Sequence, residues 1–149
     1  MKNNITGRAS ITIDAPTSKV WEALTTPRLI KKYFFNTDAI SDWKVGSSLI
    51  FEGEWEGKKY HDKGTIMKSE PNKLFKYSYW SSMSGIEDKP ENYVDITYEL
   101  KERNNYTELL ITQENIPDEK TKKHSEENWN KVLESLKNML EKKKEIIIK

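Results

Sequence analysis

Apolar residues fall first at every second position. Between Ile5 and Asp14, Ala9, Ile11 and Ile13 share one face, and Arg8, Ser10 and Thr12 the other. That alternation marks a half-buried strand. Asp14-Ala15-Pro16-Thr17 breaks it, and a hydroxyl at Thr17 or Ser18 is placed to cap a helix bearing Val20, Trp21 and Leu24 on one side. Pro27 interrupts the pattern and predicts a second short helix through Leu29 and Ile30, followed by the aromatic patch Tyr33-Phe34-Phe35. After Trp43-Lys44-Val45-Gly46 the period returns to two. Leu49, Phe51 and Trp55 alternate with Glu52, Glu54 and Glu56, with Gly53 in register with the apolar set. Gly57-Lys58 predicts a turn and Tyr60 to Lys68 the return strand. Glu70-Pro71-Asn72-Lys73 turns into Leu74 to Trp80, with Phe75, Tyr77 and Tyr79 on one face. A loop, Ser81 to Glu91, precedes two more alternating stretches. Val94, Ile96, Tyr98 and Leu100 line the first, and Arg103-Asn104-Asn105 turns into the second, Thr107 to Glu114. These spacings predict a meander of antiparallel hairpins.

From about Glu119 to Lys144 the period is helical. Trp129, Val132, Leu133, Leu136, Met139 and Leu140 form one stripe with Lys and Glu opposite, and Ser125 and Asn128 lie near the predicted start. A sheet with one apolar face must cover it. This helix, roughly 24 residues and ~36 Å long, is the only predicted element of sufficient length. The predicted class is therefore α+β, with an antiparallel sheet wrapped around the C-terminal helix.

Composition adds one point. Of 149 residues only 35% are hydrophobic and 33% are charged, yet five Trp, seven Tyr and four Phe are present. Disordered chains are poor in rings. A few bulky side chains are therefore expected to supply the core, or to line a cavity within it. The length suits a single domain over 1–149, with its core at about 5–141 and a short apolar tail at 142–149. A formal charge of +1 with Lys and Glu intermixed argues against nucleic acid as a partner. No Cys is present, so thiol nucleophiles, thiolate metal sites and disulfides are excluded. Neither a signal core nor a run of the ~18 apolar residues a membrane span needs is found. A cytoplasmic location without membrane contact is the expectation.

Certain residues carry a family resemblance. Ile13-Asp14-Ala15-Pro16, Val20-Trp21-Glu22-Ala23-Leu24-Thr25, and Pro27 with Ile30 resemble the opening of START-like (SRPBCC, helix-grip) domains. Trp43-Lys44-Val45-Gly46, Phe51, Gly64-Thr65-Ile66, Pro71, Phe75 and Tyr79-Trp80 are similar to the branch related to the activator of heat-shock protein 90 ATPase. So are Thr107-Glu108-Leu109, Gln113, Ile116-Pro117, His124 and Asn128-Trp129 with Leu133, Leu136 and Leu140. The resemblance runs from about Ile5 to Leu140. It implies a seven-stranded antiparallel sheet, two short helices after the first strand, a long C-terminal helix, and a hydrophobic cavity between sheet and helix. It also implies a co-chaperone-like or stress-response role as an alternative to ligand binding. Some relatives of the fold are enzymes, so a small cavity-based enzyme is a further alternative. Where the family often has Gly before the Trp of the last helix, this chain has Asn128, which puts bulk where the helix meets the sheet or the cavity mouth.

Phe51, Trp55, Tyr77, Tyr79, Tyr98 and Trp129 are expected to converge between sheet and helix, as an apolar pocket with polar handles or as a packed core of rings. Gln113 shares the inward face of Leu109 and Ile111, so its amide needs a partner: a ligand, a water, a backbone edge or a Tyr hydroxyl. His61 and Asp62 are adjacent in a strand and point to opposite faces, which argues against a catalytic pair. His124 is expected at the surface or a helix end, and Glu52, Glu54 and Glu56 on a solvated outer face. Ser81-Ser82-Met83-Ser84-Gly85 is not a nucleophile elbow, and the glycines form no phosphate loop. The loop Ser81 to Glu91 is either a gate at the cavity mouth or a surface connection. No cofactor, metal or catalytic residue is expected. The partners expected are a small hydrophobic or amphipathic ligand or a chaperone or other protein, for a monomer or homodimer.

Overall fold

The computed structural model describes residues 5–148, with side chains described through residue 141. The first strand, β1 (Ile5–Ile13), leads into two short helices, α1 (Thr17–Thr25) and α2 (Pro27–Tyr33). Six strands follow: β2 (Asp38–Ser41), β3 (Ser48–Trp55), β4 (Lys58–Glu70), β5 (Leu74–Tyr79), β6 (Val94–Arg103) and β7 (Tyr106–Ile116). The long helix α3 (Glu119–Ile148) closes the chain. All seven strands form one sheet in the order β1-β7-β6-β5-β4-β3-β2, antiparallel throughout. This is the α+β helix-grip arrangement. Strand β2 is the element that alternation does not mark, because its four residues carry too short a pattern.

The caps differ from the sequence expectation. Pro16, not Thr17 or Ser18, is the N-cap of α1, and no side chain caps that helix. Thr17 is instead buried as the first helical residue. Helix α3 starts at Glu119, where its period begins, and its cap lies before Ser125: the Asp118 carboxylate accepts from Thr121 N–H at 2.7 Å, which satisfies one of the open amides of the first turn. Hydrogen bonding from the Thr121 side chain, and then from its N–H, holds the Asp118 carboxyl below its usual range. The backbone of α3 continues through Ile148, while the side chains of the apolar tail at 142–149 lie outside the described residues.

Buried residues of all seven strands and all three α-helices join in one apolar cluster. Trp129, Val132, Leu133 and Leu136 form the buried stripe of α3, as its period predicts. The opposite face of α3 is not uniformly solvated. The Arg8 N–H donates to Glu126 at 2.8 Å, the Asp14 N–H donates to Glu141 at 2.8 Å, and the Lys137 ammonium donates to the Thr12 carbonyl at 2.9 Å. These side chains satisfy the outer edge of β1, which is a terminal strand of the sheet and otherwise open to mispairing.

Close approach explains one glycine. A Cβ on Gly64 would lie 1.6 Å from the Ser78 carbonyl oxygen. The backbones of β4 and β5 therefore meet where only hydrogen fits.

Candidate functional site

The space between sheet and helices is almost filled by rings. A cavity of about 10 Å³ remains, lined by Leu24, Ile30, Tyr33, Phe34, Trp43, Leu49, Phe51, Phe75, Tyr77 and Tyr98. That is the least volume that holds one water. Three of the predicted residues, Phe51, Tyr77 and Tyr98, meet at this cavity. Strand alternation aims them inward, and the β5–β6 pairing sets Phe75 opposite Tyr98. Tyr77 and Tyr98 stand edge to face at 5.5 Å, with their hydroxyls 2.7 Å apart. Both are buried, 1% and 6% exposed. The Tyr33 hydroxyl donates to the Ala23 carbonyl at 3.0 Å. Burial raises the pKa of Tyr33, Tyr77 and Tyr98 well above the ordinary phenol value. The lining therefore offers neutral phenols and carries neither His nor carboxylate.

The other predicted residues separate. Trp129 packs edge-on against Tyr98 at 6.0 Å, and its indole N–H donates to Gln113 Oε1 at 2.8 Å. The Gln113 amide in turn donates to Ser125 Oγ at 3.4 Å. The partner of Gln113 is thus α3 itself. Tyr79 sits beside Phe51 at 6.0 Å and donates its hydroxyl to the buried Asp62 carboxylate. Burial first, and that carboxylate second, raise the Tyr79 pKa. Asp62 also accepts from the Ser82 N–H at 3.0 Å. Trp55 does not join the group. It is the last residue before the Glu56–Gly57 turn and is 57% exposed. Alternation fixes its face correctly, but the hairpin tip reaches past the covered part of the sheet.

Phe34 is the residue that strand and helix periods overlook. It lies just after α2 and stacks on Phe51 at 5.8 Å, 15° from parallel. It also meets Trp129 edge-on at 5.9 Å. The patch Tyr33-Phe34-Phe35 signals it in the sequence without showing which ring enters. Phe35 and Asn36 follow with φ of 50° and 59°, a left-handed pair unusual for residues with a Cβ. Thr37, 1% exposed, then shares a hydrogen bond with the Tyr60 hydroxyl. Tyr60 reaches it by lying across Gly53: a Cβ there would fall 2.3 Å from the phenol oxygen. An open groove of about 750 Å³ lies outside this contact, and Lys31, Asn36, Asp38, Glu52, Tyr60 and His61 are among the residues lining it.

The histidines are at the surface. His61 Nδ1 pairs with Glu52 at 2.9 Å, and His124 Nε2 meets the Asn128 amide at 3.2 Å. Asn128 thus turns along α3. Glu54 and Glu56 are exposed and Glu52 half-buried. Nothing from the Ser81 to Glu91 loop lines the cavity. That loop is tied down by Trp80 Nε1 donating to the Ile86 carbonyl at 3.0 Å and by a Lys63–Asp88 ion pair at 2.7 Å. Among the described residues no three His, Asp or Glu side chains group as a metal site. No helix among them is long and apolar enough to cross a membrane.

Residues 14–141 match the family described as Activator of Hsp90 ATPase homolog 1-like protein. The solution structure of ChR145 from Cytophaga hutchinsonii is 45% identical, covering 96% of this chain and 98% of that one, with a TM-score of 0.82. The Aha1 dimer from Colwellia psychrerythraea is 25% identical over 90% of this chain and 94% of that one, with a TM-score of 0.72. MLL2253 from Mesorhizobium loti, at 23% identity over 93% of this chain and 98% of that one, shares the fold with a TM-score of 0.75. No curated protein matches the chain significantly.

Proposed function

Because this chain belongs to the Activator of Hsp90 ATPase homolog 1-like family, we propose that it is a non-enzymatic binding domain enclosing a small hydrophobic or amphipathic molecule between the sheet and α3. One observation carries this reading: the Tyr77–Tyr98 hydroxyl pair beside an otherwise apolar cavity, which at about 10 Å³ has to widen before it holds more than one water. A core needed only for stability is served as well by two Phe, since burying phenols costs desolvation that one shared hydrogen bond barely offsets. Within the pair one O–H donates to the other oxygen. The second O–H and the remaining lone pairs can meet a polar group on a ligand. Phe51 and Trp129 supply apolar contact, at about 25 cal/mol per Å² before ordering costs. Tyr79 and Gln113 act at the margin, Tyr79 beside Phe51 and Gln113 by holding Trp129 in place. A lining of phenols without acid, base or nucleophile favours binding over catalysis. We assign the protein to the cytoplasm, where a chain without Cys has nothing to lose to reduction.

Native mass spectrometry of the protein purified from its own host tests this. A reproducible bound mass, released on denaturation, is expected. The bare chain alone, together with Trp fluorescence that stays flat across an apolar ligand library, overturns the reading.

A second reading, a co-chaperone-like or stress-response interaction module, is favoured by the outer sheet face. Ile40 pairs with Ile50, Ile50 with Lys63, and Lys63 with Trp80, in one row across the sheet. Ile40 is 49% exposed, and the Lys63 ammonium lies 5.9 Å from the Trp80 ring centre. The similar protein from Colwellia psychrerythraea is a dimer, and light scattering of this chain distinguishes monomer from homodimer.

A further inference from the structure

We propose that the Phe34 ring occupies the place of a planar aromatic group of the ligand, and that residues 34–37 swing outward as a plug to admit it. This rests on the binding reading above and specifies the ligand class and its route.

The packing of Phe34 is that of a guest. Its ring is stacked on Phe51 of the sheet and edge-on to Trp129 of α3, so it spans the grip from wall to wall. Offset or edge-on rings are the favoured aromatic arrangements. A ligand ring in the same position keeps both contacts. Its polar substituent then faces the cavity that Tyr77 and Tyr98 line.

The segment bearing Phe34 is built to move. Phe34 belongs to no strand: its N–H donates to the Ile30 carbonyl as the cap of α2, and its carbonyl accepts from the Thr37 N–H at 2.9 Å in a turn that lies wholly within 34–37 and can move with it. Behind it Phe35 sits in the left-handed region at φ 50°, an uncommon conformation for a bulky side chain, and Asn36 follows at 59°, which Asn tolerates. Its far end is held by the hydroxyl contact between Thr37 and Tyr60. Tyr60 can make that contact because Gly53 leaves room for its ring. On the outer side, Asn36 and Tyr60 line the groove of about 750 Å³, and Phe35 is 51% exposed. A ring entering from the groove meets the Tyr60 latch, then Phe34, then the phenols.

The test is an NMR titration of the full-length protein with p-cresol, a single ring bearing one hydroxyl. Saturable shifts are expected at the rings of Phe51, Tyr77, Tyr98 and Trp129 and at the amides of 34–37, with loss of the Phe34–Phe51 cross-peaks. Tyr60→Phe keeps the ring and removes the latch. It should raise the open population, and with it the apparent affinity for p-cresol, by about fivefold, the worth of one ordinary hydrogen bond. Binding with the Phe34–Phe51 cross-peaks intact, or an unchanged affinity in Tyr60→Phe, overturns the plug and leaves the binding reading standing. Absence of any saturable shift in both proteins also overturns this inference. The broader reading falls only if native mass spectrometry also finds the bare chain.

Discussion

The Tyr77–Tyr98 pair permits a quantitative test of whether these hydroxyls are there for stability. Both rings are nearly fully buried and their oxygens are 2.7 Å apart. Tyr77→Phe removes one oxygen and leaves the other phenol with no partner in the pair. A buried polar group left unpaired costs about 1–3 kcal/mol, and Tyr98→Phe should cost the same for the same reason. The double substitution removes both polar groups and leaves a ring-for-ring apolar core. It should be nearly neutral, so the coupling energy should offset most of the summed single losses. Urea unfolding followed by Trp fluorescence measures this. With a slope of about 2 kcal/mol per M, each single variant should lower the midpoint by roughly 1 M, and the double should restore most of it. Strictly additive losses would mean instead that each hydroxyl has its own independent partner and that the two are not coupled. A double variant of normal stability that no longer carries a bound mass would separate the hydroxyls' role in binding from folding.

Three further outcomes are expected. Gly64→Ala should prevent folding or destabilise by about 3 kcal/mol or more in thermal melts, since its Cβ would fall 1.6 Å from the Ser78 carbonyl oxygen on backbone that cannot rotate away; a near-normal Tm would contradict that close approach. Trp129→Ala should cost ~3–5 kcal/mol by cavity formation, measured by urea unfolding, because this indole is 9% exposed and donates to Gln113; near-neutral stability would place it outside the packed core. Alkaline titration at 295 nm should show four phenols that ionise only as the fold is lost. Tyr33, Tyr77, Tyr79 and Tyr98 have folded pKa values raised above 10.0, mainly by burial. Their stabilising contribution is complete below the unfolded value and is lost as pH rises towards the folded one, so their ionisation should coincide with unfolding followed by circular dichroism. Complete phenol ionisation with the fold intact would contradict their burial.

The sequence is legible where a side chain's direction follows from period alone. Phe51, Tyr77 and Tyr98 are placed inward by alternation, and Trp129 by the helical stripe. Alternation does not say how far a covering helix reaches, so Trp55 has the right face and the wrong depth. It is also silent on connections. Phe34 enters the grip because a left-handed pair turns the chain after α2, and nothing in the apolar pattern encodes that turn. Gln113 reads correctly as a buried amide needing partners, but its partners, Trp129 and Ser125, lie on an element whose docking register the sequence does not specify. Likewise Glu126, Lys137 and Glu141 read as a solvated face, because the open edge of β1 that they satisfy exists only once the sheet has formed.

The ligand proposed here sits inside the grip and not on the outer face. An isotope-filtered NOE experiment on the complex with p-cresol or with the co-purified molecule reads its position. Intermolecular cross-peaks to the rings of Phe51, Tyr77 and Tyr98 are expected. Cross-peaks confined to Ile40, Ile50 and Trp80 on the outer row would place binding outside the grip and overturn the proposal.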